Sequence, residues 1–190
     1  TPKPSSAASD VYKRQGIISY EKLAHSCNSY FKEIVKLLHV LEQTYIIRTL
    51  RPFHRNMVTE LRKNPKVYFY DLGLRNYLIN NFNKLTLRED AGKLAENFVL
   101  NEISSMNDHY NINFWRTTSK AEIDFVLNDH AEVFPIEVKF SPMKEAKITR
   151  SFRSFLKCYR PKRALIVTKD FWENLKIENT SLVYAPIAYL

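Results

Sequence analysis

Two short stretches of strict apolar–polar alternation constrain this chain more than any other feature. Glu122 to Leu127 reads EIDFVL, and Pro135 to Phe140 reads PIEVKF. Successive side chains of a strand point to opposite faces, so a period of two predicts strands with one face on a core. In the first stretch Ile123, Phe125 and Leu127 share one face, and Glu122, Asp124 and Val126 take the other. In the second, Ile136, Val138 and Phe140 stand opposite Pro135, Glu137 and Lys139. The residues between them, Asn128 to Phe134, supply Asn, Asp and His for a hairpin turn. If the strands pair, Asp124 and Glu137 share a face, directly opposed or diagonal, roughly 5 to 8 Å apart.

Carboxylates that close repel each other unless a cation lies between them. Hard divalent ions such as Mg²⁺ (or Mn²⁺) take oxygen ligands, often one or two carboxylates plus water and substrate phosphate. Lys139, two residues beyond Glu137 on the same face, adds an ammonium that can orient a water or stabilise charge on a phosphoryl group. Such a set suits phosphodiester hydrolysis. A third acid is expected from a helix over Lys93 to Ser105. Its projection gives an apolar arc of Leu94, Ala95, Phe98, Val99, Leu100 and Ile103, and both Glu96 and Glu102 fall inside it. A carboxylate on an apolar face is costly unless paired or metal-bound, and periodicity does not choose between the two.

The elements around this pair give the frame. Ile112 to Arg116 is a short strand, Lys147 to Tyr159 returns to a helical period, and Ala164 to Thr168 is an apolar strand. The order α, β, β, β, α, β predicts an α/β domain with a mixed sheet and helices packed on it. Upstream, Ser19 can cap a short helix containing Lys22, Leu23 and Ala24 that ends near Ser26-Cys27-Asn28. A longer helix carries Phe31, Ile34, Val35, Leu37, Leu38 and Leu41, and a strand follows over Tyr45 to Leu50, closed by Pro52. That is the order of a helix-turn-helix with a wing. Asn64 to Tyr70 is a β-rich run whose aromatics read most simply as core, Asp71 reads as a turn and cap residue, and Leu74 to Phe82 reads as another helix. The expected organisation is a disordered arm at residues 1–15, a winged-helix-like segment with its connecting strand and helix at 16–83, and the α/β domain at 84–190.

Charge points to the partner. Lys and Arg number 29 against 20 Asp and Glu, a net +9. Lys139 to Arg163 holds nine basic residues and one acid, Glu145. Lys144, Lys147, Arg150, Arg153 and Lys157 are the candidates for binding a polyanion such as nucleic acid. Trp115 and Arg116, at the end of a strand, could stack on a base, although an aromatic there also reads as core.

Other chemistries are excluded by pattern. The three glycines, Gly16, Gly73 and Gly92, allow neither a phosphate-binding loop nor a dinucleotide fingerprint. His25, His39, His54, His109 and His130 are scattered, Cys27 and Cys158 have no ligand-spaced neighbours, and no nucleophile elbow occurs. No apolar run reaches the length of a membrane span and no secretory signal is evident, so a reducing cytoplasm is expected.

Glu96, Asp124 and Glu137-Val138-Lys139, on elements in the order α, β, β, β, α, β, resemble the PD-(D/E)xK nuclease superfamily. The resemblance implies a restriction-endonuclease-like fold, with Asp124 and Glu137 binding Mg²⁺, Lys139 assisting the attacking water and Glu96 as the helical acid. Ile123 stands where many members have Pro. Over Gly16 to Leu190, the blocks NPKVYFYDLGL, GKLAENFVLNEI, FWRT, EIDFVL and PIEVKF also resemble the C-terminal region of prokaryotic AAA-type ATPases. There a winged helix and a nuclease-like domain follow the ATPase module. This implies an upstream ATPase as partner, with ATP bound only by that module, and DNA as the expected nucleic acid. It leaves open a non-catalytic binding module of the same fold, or a regulator using only the winged helix.

Overall fold

A computed structural model describes residues 16–53, 64–106, 109–129 and 132–190. The arm expected at residues 1–15 and the histidines His54 and His130 lie outside the described residues. The chain divides into two compact units, the first holding residues 16–51 and 64–88 and the second residues 52–53 and 89–190.

In the first unit, α1 (Tyr20–Ser26) starts at Ser19, whose hydroxyl accepts from Lys22 N–H at 3.4 Å and replaces a missing helical partner. Asn28 adopts φ 48°, turning the chain tightly into α2 (Phe31–Gln43). β1 (Ile47–Leu50) and β2 (Lys66–Phe69) form an antiparallel ribbon with Ile47 opposite Phe69. Glu42 ties α2 to that ribbon, accepting from both the amide (3.1 Å) and the hydroxyl (2.5 Å) of Thr49. α3 (Leu72–Leu78) begins at Asp71, whose carboxylate accepts from Leu74 N–H. The core joins Leu23, Ile34, Leu38, Ile47, Val67 and Phe69; of the VYFY run expected as core, Val67, Tyr68 and Phe69 are buried and Tyr70 is half-buried. The six apolar positions expected to bury α2 do not all do so. Ile34 and Leu38 are buried, whereas Phe31, Val35 and Leu37 are exposed, because two short helices and a two-stranded ribbon cover only a narrow stripe.

The second unit is built on a six-stranded mixed sheet in the order β3-β4-β5-β6-β8-β7. Its elements are α4 (Ala91–Ser105), β3 (Asn111–Arg116), β4 (Glu122–Asn128), β5 (Val133–Lys139), α5 (Arg150–Tyr159), β6 (Arg163–Thr168), β7 (Glu173–Ile177) and β8 (Thr180–Pro186). β3, β4 and β5 are antiparallel, β5, β6 and β8 run parallel, and β7 returns antiparallel to β8. The parallel β5–β6 step needs a crossover, and α5 supplies it. Its Phe152, Phe155 and Leu156 recur at spacings of three and four. They pack into a core with Trp115, Ile123, Val126, Ala164, Ile166, Leu182 and Tyr184. Trp115 lies edge-on to Phe155 at 5.3 Å between ring centres, which settles it as a core residue.

Three expectations are corrected. Helix α5 starts at Arg150, not Lys147, because Thr149 is extended and caps it, accepting from Phe152 N–H at 3.1 Å. On α4, Asn97 is fully buried while Phe98 is exposed, so the inward stripe is narrower than the apolar arc suggests. β7 and β8 were not foreseen; ENLKI is too polar, with Glu173, Asn174 and Lys176 exposed on an edge strand.

Truncating Phe155, which is fully buried against Trp115 and Tyr159, removes the centre of this core. Phe155→Ala is expected to destabilise the chain by about 3–5 kcal/mol in denaturant titration, as for other large buried aromatics.

Candidate functional site

The site grows from an irregularity in β4. Asn113 pairs with Val126 and Trp115 with Ile123, so Phe114 alone stands opposite both Asp124 and Phe125. This is a β-bulge, a device that re-aims side chains and interrupts pairing. It breaks the alternation expected from EIDFVL, because Ile123 and Val126 now enter the same core cluster. The β4–β5 ladder runs from Asn128↔Val133 to Phe125↔Ile136 and stops there. One further step would set Asp124 opposite Glu137. Instead the Asp124 carboxylate fills the gap, its Oδ2 accepting from Val138 N–H at 2.8 Å. An amide at that partly buried position would otherwise lose its ladder partner, at a cost of about 1–3 kcal/mol.

Glu137 is buried, with 5% of its surface exposed, and its Oε1 accepts from Lys139 Nζ at 2.6 Å. The two are i, i+2 on β5 and so stand on one face of the strand, as read from PIEVKF. Burial lowers the Lys139 pKa, but the field of Glu137 and its hydrogen bond, followed by the fields of Asp124 and Glu96, outweigh it. The net result is a pKa raised above 10.5. Glu96 therefore belongs to the neighbourhood of Lys139. It acts through its field from α4, which packs on β5. Glu102, the other candidate on that helix, is not among the carboxylates acting on Lys139.

Three carboxylates act on this one ammonium, and Glu137 holds it directly at 2.6 Å. The donor atoms are hard oxygens, the kind a divalent ion such as Mg²⁺ takes, and Asp124 and Glu137 are the residues that would hold one. Among the described residues no group of three or more His, Cys, Asp and Glu side chains is arranged to hold a metal ion. Glu122, at the same end of β4, is engaged by Arg116 at 2.8 Å.

The basic candidates divide into two groups. Lys144 and Lys147 line a cleft of about 620 Å³ together with Lys139, Ser141, Glu145 and Thr149, and Lys139 joins that cleft to Glu137. Glu145 pairs with Lys147 at 3.0 Å on its exposed rim. Arg150, Arg153 and Lys157 form an exposed stripe on α5 opposite its buried Phe152, Phe155 and Leu156. That stripe leads about 10 Å away from the cleft. Arg153 and Lys157 meet Arg160 at a separate hollow of about 260 Å³. Sequence reasoning had no signal for the role of Val138 N–H, since the bulge that creates it comes from pairing with β3.

Residues 91–190 match the domain of unknown function DUF4143. That is more than half of the chain, which belongs to this family. Residues 6–85 match a second domain of unknown function, DUF8612. Similar proteins include the uncharacterized protein Rv2008c of Mycobacterium tuberculosis and the uncharacterized protein Mb2031c of Mycobacterium bovis. Each is 28% identical over 142 residues, covering 74% of this chain and 32% of the relative. The chain thus spans about a third of the length of these relatives. No helix among the described residues is long and apolar enough to cross a membrane.

The raised Lys139 pKa has a definite sign in stability. The folded chain holds this proton more tightly than the unfolded chain. Its contribution is therefore complete below about pH 10.5 and is lost as pH rises through the folded value. Chemical denaturation across the alkaline range is expected to show falling stability in the native chain and a shallower fall in Lys139→Met.

Proposed function

We propose that the second unit is a PD-(D/E)xK-type nuclease domain hydrolysing DNA phosphodiesters with Mg²⁺, and that the chain is the C-terminal part of an AAA-type ATP-binding protein. The observation that carries this reading is the convergence of Glu137, Asp124 and Glu96 on Lys139 at the bulged end of the sheet. The basic cleft beside it supplies a path for a phosphate backbone.

Asp124 and Glu137 hold the metal in this reading. A divalent ion bound there supplies water of lowered pKa and neutralises phosphate charge. Without a metal, the Glu137 carboxylate beside Lys139 raises its pKa and favours the ammonium, a donor. In this reading it orients the attacking water or a phosphate oxygen. Glu137 fixes the ammonium in place, while Lys144 and Lys147 hold flanking phosphates. The first unit, two helices followed by an antiparallel ribbon, is read as a winged helix that adds duplex contacts. The part of the relatives outside this chain is read as carrying the ATPase module.

One observation favours a second reading, a non-catalytic binding module of that ATPase. Asp124 Oδ2 is engaged by Val138 N–H and Glu137 Oε1 by Lys139, so both carboxylates already serve the fold. Incubation with plasmid and single-stranded DNA separates the two. Cleavage that requires Mg²⁺ or Mn²⁺, stops with chelator, and falls at least about 100-fold in Asp124→Ala and Glu137→Gln supports the nuclease. Binding that weakens steeply with salt, without any cleavage, supports the module.

A further inference from the structure

β5, β6 and β8 are mutually parallel, so their carboxyl ends lie along one end of the sheet. Lys139 pairs there with Thr168, and Thr168 with Pro186. This row spans two strand spacings, about 10 Å. Two large aromatics follow immediately beyond it, Trp172 after β6 and Tyr189 after β8. Both are exposed, at 54% and 75% of their surfaces, and their rings lie 5.5 Å apart at 70°. The turn that presents Trp172 is a built one. The Thr168 hydroxyl donates to Phe171 C=O at 2.6 Å and accepts from Phe171 N–H at 3.1 Å. Phe171 turns inward, edge-on to Tyr184 at 5.7 Å, and Trp172 is left facing water.

Exposed aromatics beside a basic cleft are the elements from which single-stranded nucleic acid sites are made. The cleft follows the backbone and the rings stack on bases. Duplex bases are already stacked inside the helix and reach such rings only when extruded. We propose that Trp172 and Tyr189 form a stacking platform for unpaired bases, so that single-stranded nucleic acid, or an unpaired end, is what the carboxylate cluster receives. This rests on the nucleic-acid reading of the site above and adds the substrate class to it. The row from Lys139 to Pro186, about 10 Å wide, is short enough for a few nucleotides of one strand to follow toward the rings.

The chain has two tryptophans, Trp115 and Trp172, and Trp115 is buried with 6% of its surface exposed. Emission of the intact chain, titrated in chelator with short oligothymidylate or with a duplex of equal length, therefore reads Trp172 without cleavage. Quenching by oligothymidylate is expected, with binding retained but the signal lost in Trp172→Phe. Affinity, followed by anisotropy, is expected to fall roughly 5- to 150-fold for each stacked base lost in Trp172→Ala and Tyr189→Ala. Unchanged affinity in both variants, with salt-sensitive binding intact, would overturn the platform and leave the nucleic-acid reading standing. Equal affinity and quenching with the duplex would overturn the single-strand preference. Absence of binding to either oligonucleotide at low salt would remove the platform and the reading beneath it together. Self-association that Trp172→Ala abolishes, without any effect on oligonucleotide binding, would assign the pair to a protein contact and overturn the proposal.

Discussion

The break in the β4–β5 ladder is the feature on which the rest of this site depends. A regular hairpin would pair every amide up to the strand ends and turn Asp124 onto a face of the sheet. The two-for-one match of Asp124 and Phe125 against Phe114 ends the ladder one step early. The carboxylate then takes the place of the missing carbonyl at Val138 N–H. A charged acceptor makes a stronger hydrogen bond than a neutral one, so the irregularity is held open by the residue it re-aims.

Around that break the chain gathers carboxylates from three elements. Glu137 is buried with one ammonium, and Asp124 and Glu96 act on the same ammonium from β4 and α4. Positive charge gathers instead in the adjoining cleft, on Lys144 and Lys147. An acidic centre beside a basic approach is the electrostatic arrangement expected of a site that holds a cation and a polyanion together. The same arrangement without a bound cation would suit a recognition module that grips a backbone and leaves it intact.

Much of this was legible in the sequence, for physical reasons that differ from element to element. The EIDFVL and PIEVKF alternations announced β4 and β5, and the i, i+2 spacing of Glu137 and Lys139 fixed their common face. The spacing of Phe152, Phe155 and Leu156 announced the buried side of α5. The bulge was not legible, because it lies in how β4 pairs with β3 and not in the alternation of β4 alone, and with it went the face assignment of Val126. Glu96 and Glu102 were indistinguishable on a helical projection, and only the packing of α4 on β5 separates them. β7 escaped because an edge strand with Glu173, Asn174 and Lys176 exposed lacks an apolar signature.

The central claim, that Asp124 and Glu137 form one cation-holding centre at the interrupted ladder, is tested most directly by amide NMR during a Mn²⁺ titration. Paramagnetic broadening is predicted to appear first at Asp124, Glu137 and Val138 at low metal, and to vanish in the Asp124→Ala variant. Broadening that begins elsewhere in the chain, or that persists unchanged in the variant, would contradict the account.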